Sequence, residues 1–192
     1  MKTFIIYRII GMLKNTGSDW DKVAPKKETA IDFAHNNINP EPIRMIDEYR
    51  YSREYCLAHS GVSLNEHFRE GRIDKQDIEI SDMVSAHSCK TDLVLYRGVC
   101  EDVYKLMIQN ASSLKGVDLH EKGYMQCSLV KGHESNYKTK LRIFVPSGSC
   151  VIYLGNVNYE QEYYEVDIQH GAKLKIVSID QNYINCKLLS TE

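Results

Sequence analysis

The stretch Tyr163-Tyr164-Glu165-Val166-Asp167-Ile168-Gln169-His170-Gly171-Ala172-Lys173-Leu174-Lys175-Ile176 decides how the chain is read. Apolar and polar residues alternate with a period near two on both sides of Gly171, which predicts strands over Tyr163–Ile168 and Lys173–Ile179. Taken alone, this is a hairpin with solvated carboxylates. Similar runs surround it: Asp92–Arg97, Tyr124–Leu129, Leu141–Val145, Cys150–Leu154 and Tyr183–Leu189. The gaps between most of them are too short for helical crossovers, so most pairs should be antiparallel.

Upstream, residues 1 to 90 read mainly as helix. Phe4–Ile10 is a strand or a core-packing segment, and the prolines of Asn36–Pro42 break the chain. Ile43, Ile46, Tyr49, Cys56 and Leu57 recur at helical spacing, predicting a helix over Ile43–Leu57. Ser63 with Glu66 reads as a capping box opening a second helix to Glu70, closed by Gly71. Val103, Leu106, Met107, Ala111 and Leu114 share one face of a helix over Asp102–Leu114. The whole is an α+β fold. It is expected to be one domain over residues 1–192, with a helical layer to residue 90 and a strand-rich remainder.

Composition narrows the function. Twenty-four basic against 26 acidic residues give a formal charge of −2, with no footprint for nucleic acid. No apolar run approaches the roughly 18 residues of a membrane span. Arg8 interrupts the apolar start, so a Sec signal is not expected; the protein is cytoplasmic or injected into a host cytosol by a specialised machine. The six cysteines show neither C-x-x-C nor zinc spacing, and read as reduced thiols with no metal site. No cysteine sits in a nucleophile signature, and there is no P-loop or G-x-G-x-x-G. The solubility expected of such a composition suits a monomer.

Three patches carry chemistry. Leu93-Val94-Leu95-Tyr96-Arg97-Gly98 delivers an arginine at a strand end. Gly123-Tyr124-Met125-Gln126-Cys127-Ser128-Leu129 is a strand with polar residues on one face. The third runs from Val145-Pro146-Ser147-Gly148 through Glu165 to Ile176. In this order the patches resemble the R-S-E class of mono-ADP-ribosyltransferases, the clostridial- and cholera-toxin-like exoenzymes. Glu165-Val166-Asp167-Ile168, with Gly171 and Ile176, follows that family's Glu-Val-x-Leu-x-x-Gly-x-x-x-x-Ile pattern. Asn65-Glu66-His67-Phe68-Arg69 is similar to its Asn-x-x-Leu-Arg helix.

The resemblance implies N-terminal helices and two short, roughly perpendicular, mostly antiparallel sheets forming a cleft for NAD, the substrate, with no metal. It implies transfer of ADP-ribose to a protein, with Arg97 and Arg69 gripping the pyrophosphate as planar forks and Asn65 adding a polar contact. Glu165 would stabilise the positive charge that builds on the ribose as the nicotinamide bond breaks. Gln126 and Ser128 would orient it, and Tyr137 or Tyr159 would stack on nicotinamide or touch the acceptor.

Two departures shape the expectation. Gln126-Cys127-Ser128 stands where the family often has Ser-Thr-Ser. Tyr163 stands where arginine-modifying members carry Glu and Rho-modifying ones Gln; strand alternation would put it on the face of Glu165, meeting the acceptor. A tyrosine is no carboxylate base for guanidinium, so a Ser or Thr acceptor is expected, in line with effectors that modify a ubiquitin threonine. A second register makes Glu162 catalytic with Glu160 its partner. The rival readings are an NAD-binding pseudoenzyme or interaction module, and an NAD glycohydrolase.

Overall fold

The computed structural model describes residues 17–42, 45–47, 50–156 and 162–192. The predicted segment Phe4–Ile10, Tyr159 and Glu160 lie outside them. Gly17–Trp20 forms the short helix α1, and Ala30–Asn37 forms α2. Met45–Asp47 (β1) and Arg50–Tyr51 (β2) pair antiparallel as a small ribbon. The expected helix over Ile43–Leu57 is therefore wrong in its first half.

The helix α3 instead spans Arg53–Glu70 without a break. Its cap is Ser52, whose Oγ accepts from the Tyr55 amide at 3.0 Å, not Ser63, which lies inside the helix. Two amphipathic stretches with a polar step at Arg53 read as separate helices, but a cap at Ser52 fuses the second half of one to the other. Gly71 closes α3 in the left-handed conformation, as its sequence position suggested. A turn later Asp74 and Asp77 form a true capping box at the start of α4, Lys75–Ser85.

Leu57, Leu64 and Phe68 of α3 and Ile80 and Val84 of α4 pack against Tyr124, Ile152 and Leu154. Burying each such side chain contributes roughly 1.5–3 kcal/mol, which fixes the helical layer to the sheet. The helix α5, Glu101–Ala111, buries Met107 and Ala111 in the main core.

The strands are β3 (Leu93–Val99), β4 (Leu119–Glu121), β5 (Met125–Ser128), β6 (Thr139–Val145), β7 (Val151–Gly155), β8 (Glu165–Ile168), β9 (Ala172–Ile179) and β10 (Ile184–Ser190). They join one eight-stranded sheet in the order β4-β9-β10-β6-β3-β5-β8-β7. All pairs are antiparallel except β10 with β6. The expected two separate sheets are thus one. Its weak point is the β3–β5 seam, held by the single register pair Tyr96↔Ser128. Strand β4 had no signal, since three residues are too few to show alternation. All six cysteines are free, and Cys89, Cys127 and Cys186 are buried. Among the described residues no helix is long and apolar enough to cross a membrane.

Candidate active site

The seam opens next to Arg97. Where ladder bonds between β3 and β5 run out, the Arg97 guanidinium replaces them: Nη1 donates to the Gln126 carbonyl at 3.2 Å and the Tyr124 carbonyl at 3.5 Å. Only 8% of the residue is exposed, and its Nε is buried without a hydrogen-bond partner. Gly98 follows because no larger residue fits: a Cβ there would lie 1.9 Å from the Ser135 carbonyl oxygen.

Both candidate phosphate-binding arginines converge on Glu121, at the end of β4. Arg69 grips it bidentately, Nε to Oε1 at 2.9 Å and Nη2 to Oε2 at 2.8 Å, while Arg97 Nη2 lies 3.8 Å away. The Gly123 amide donates to Oε1 at 3.0 Å. With this anchoring the Glu121 carboxyl is held below its ordinary range despite burial, and Arg69 is held above its own. Sequence reasoning missed Glu121. Its signal was available in Glu121-Lys122-Gly123-Tyr124, a lone acid just before the glycine-led strand.

Asn65 is placed differently from expectation. It is buried, and its Oδ1 accepts from the Tyr124 amide at 2.6 Å, so it ties α3 to the start of β5. A Cβ on Gly123 would come within 2.5 Å of that oxygen.

Ser128 and Gln126 lie directly opposite Glu165 and Asp167 in the β5–β8 register. The Ser128 hydroxyl does not orient Glu165, however: it donates to the Val130 carbonyl at 2.8 Å and accepts from the Val130 amide at 3.0 Å. A serine just before a turn satisfies the turn's own backbone first. Glu165 is half-buried, with Oε1 fully enclosed. Burial raises its carboxyl to about 7, opposed by Asp167 and by the Arg97 charge. Asp167 is completely buried, and the loss of solvent and the neighbouring Glu165 push it well above an ordinary aspartate.

Tyr163 does not share a strand face with Glu165, which corrects the alternation argument. Strand β8 begins only at Glu165, and Tyr164 before it adopts a left-handed backbone with φ 48°. That conformation interrupts the alternation on which the expected facing rests. Tyr164 is pinned by its amide donating to Asn156 Oδ1 at 3.1 Å and its carbonyl accepting from the Leu129 amide at 3.0 Å. Tyr163 instead lines an open cleft of about 720 Å³ with Gly132, His133, Glu134, Tyr137 and Glu162. Tyr137 is half-exposed there.

Glu162 is exposed, lies before β8, and forms an ion pair with Lys27 that holds its carboxyl low. Glu165, not Glu162, is the carboxylate that feels the Arg97 charge. His67, Asp74 and Asp77 also cluster, within 4.8 Å, but the Asp77 carboxylate already accepts from the Asp74 amide and the His67 ring as part of the α4 cap.

The family model for ADP-ribosyltransferase exoenzymes matches residues 27–190. The chain belongs to this family. It is an NAD-dependent mono-ADP-ribosyltransferase, with NAD as its substrate. Solved structures share the fold at low identity. C3stau2 from S. aureus, determined with NAD, is 16% identical with a TM-score of 0.61, over 86% of this chain and 97% of that one. The Paenibacillus larvae toxin Plx2a is 16% identical, TM-score 0.56, over 92% of each chain. The C3 exoenzyme of Clostridium limosum is 17% identical, TM-score 0.54, over 73% and 87%. No curated protein sequence matches the chain.

The residues fit a dinucleotide. Two guanidiniums converge beside buried Glu121, the charge of one of them, Arg97, is felt by half-buried Glu165, and the Arg97 Nε is a buried donor without an acceptor.

Proposed function

We propose that this exoenzyme transfers ADP-ribose from NAD to a serine or threonine hydroxyl of a host protein, within one catalytic domain and with Glu165 as the catalytic carboxylate. Bound NAD supplies the ribosyl group, whose bond to nicotinamide breaks with positive charge building on the sugar. Arg69 and Arg97 are the phosphate ligands. Their charges, already turned toward one anion, are pre-organised for another. Glu165 places its carboxylate against the developing positive charge, and the low-dielectric seam around it strengthens that attraction. Burial raises its carboxyl above the ordinary range, so the ionised form is a strong enough base to take the proton of an incoming hydroxyl.

The observation that carries the hydroxyl acceptor is the charge state of the cleft beside Tyr163. Its two carboxylates are both committed, Glu162 to Lys27 and Glu134 to Lys140 at 2.8 Å. Among the described residues no uncommitted carboxylate lines that cleft to draw a proton from a guanidinium, and Tyr163 offers only a phenol. A ubiquitin threonine is one acceptor of the right chemistry. Mass spectrometry of proteins labelled in a eukaryotic lysate is expected to place the ADP-ribose on Ser or Thr. A modified arginine would overturn the acceptor assignment.

A further inference from the structure

We propose that Asp167 is a positioning residue of this transferase: it holds a proton at neutral pH and donates it as a hydrogen bond to Glu165. This rests on Glu165 being the catalytic carboxylate. Asp167 occupies the variable position of the Glu-Val-x-Leu pattern, two residues beyond Glu165 on β8, and so on the same face. It is 0% exposed. Both its carboxyl oxygens, and Oε1 of Glu165, are buried without a hydrogen-bond partner. The two carboxyls are nonetheless within hydrogen-bonding reach of each other.

Two ionised carboxylates are acceptors only, and neither can satisfy the other. One added proton removes the conflict. The carboxyl that keeps it must be the one further from solvent, which is Asp167. Its O–H then points to Glu165 and stabilises the anionic form that catalysis needs, much as two acids share one proton in other sites.

The partner strand supports this. Gln126 lies opposite Asp167 in the register and Ile152 flanks it on the other side. The hydroxyl that the family often places at position 126 is absent here. The chain has a buried acid directly across from that position, and that acid, once protonated, is a donor to its neighbour Glu165. Other titratable groups are near enough to Asp167 to interact electrostatically: Arg97 on β3, Tyr124 just before β5 and Cys127 on it. Burial lifts the Cys127 thiol to about 12 and the Tyr124 phenol higher still, so neither titrates between pH 5 and 9.

The test is nicotinamide release from NAD, followed from pH 5 to 9, with thermal unfolding in parallel. Asp167→Val is expected to lower kcat about ten- to hundredfold, the range for one hydrogen bond to a charged group, with little change in KM for NAD. Asp167→Asn keeps an N–H donor and should recover most of that loss. It should also lack the alkaline fall in kcat that is expected of the wild type as Asp167 loses its proton. Gln126→Ser in the Asp167→Val background should restore activity by returning the hydroxyl.

A purely structural Asp167 would give losses that track the folded fraction and would leave the pH profile unchanged. The proposal is overturned by an alkaline limb that persists in Asp167→Asn, or by Asp167→Val with wild-type kcat. If Asp167→Val does not fold, the Asp167→Asn profile decides alone. Failure of the underlying reading has a separate signature: Glu165→Gln would retain nicotinamide release.

Discussion

Replacing Glu121 by Gln removes one charge and keeps the side chain's shape. In the folded protein this carboxylate is 1% exposed and serves two guanidiniums and an amide. The amide oxygen of Gln can still accept from Gly123, but Arg69 loses its bidentate partner, and two buried positive charges face each other without an anion. Removing one member of a buried ion pair costs about 3–5 kcal/mol. For a chain of 192 residues, where 1 kcal/mol moves the melting temperature by about 2–4 °C, the expected loss is roughly 6–20 °C.

The measurement is thermal unfolding by circular dichroism across pH. The Glu121 carboxyl is lower in the folded than in the unfolded state, so its contribution is complete above the unfolded value, near 4.5, and disappears as pH falls through the folded one. The gap between wild type and Glu121→Gln should therefore close in acid. Adding Arg69→Met to Glu121→Gln should recover part of the stability, because one of the two orphaned charges is then gone and Arg97 no longer faces it. A variant melting within about 2 °C of wild type at neutral pH, less than 1 kcal/mol, would refute the reasoning. So would a gap that widens on acidification.

Other outcomes follow from the same geometry. Gly98→Ala drives a Cβ into the Ser135 carbonyl and should cost about 1–3 kcal/mol or more by overpacking, read as a lower urea midpoint. The residues it pushes line the cleft with Tyr137, so protein labelling should fall further than nicotinamide release. The Asp167 carboxyl is raised in the folded state, so its burial weakens the fold progressively as pH rises from the unfolded value near 3.8 towards the folded one. Asp167→Val should therefore raise the melting temperature more at pH 8 than at pH 5, measured against wild type.

The strand half of the fold was legible because alternation survives in strands with one buried face. Leu141–Val145 and Cys150–Leu154 were placed within two residues of their observed ends. The helical half was less so. Polar Asn65 and Arg69 interrupt the apolar stripe of α3 because their partners are the Tyr124 amide and Glu121, which blurs the period that sequence reading relies on. The site itself was half legible. Arg97 and Glu165 stand in ordered motifs, and the fold brings them together. Glu121 was missed because its role depends on β4, a strand too short to announce itself, and a lone acid before Gly123 is only a weak signal. Tyr163 was misplaced because a left-handed tyrosine at position 164 breaks the alternation, and nothing in Tyr163-Tyr164 signals a positive φ. The single sheet in place of two follows from one pair, Tyr96↔Ser128, which no local pattern encodes.

The most direct test incubates the protein with tagged NAD and a eukaryotic lysate, comparing wild type with Glu165→Gln and Glu162→Gln at matched folded concentration. A labelled protein band should appear with wild type, vanish with Glu165→Gln, and persist with Glu162→Gln. A band that persists with Glu165→Gln and vanishes with Glu162→Gln would move the catalytic carboxylate out of the Arg97 seam and contradict the site described.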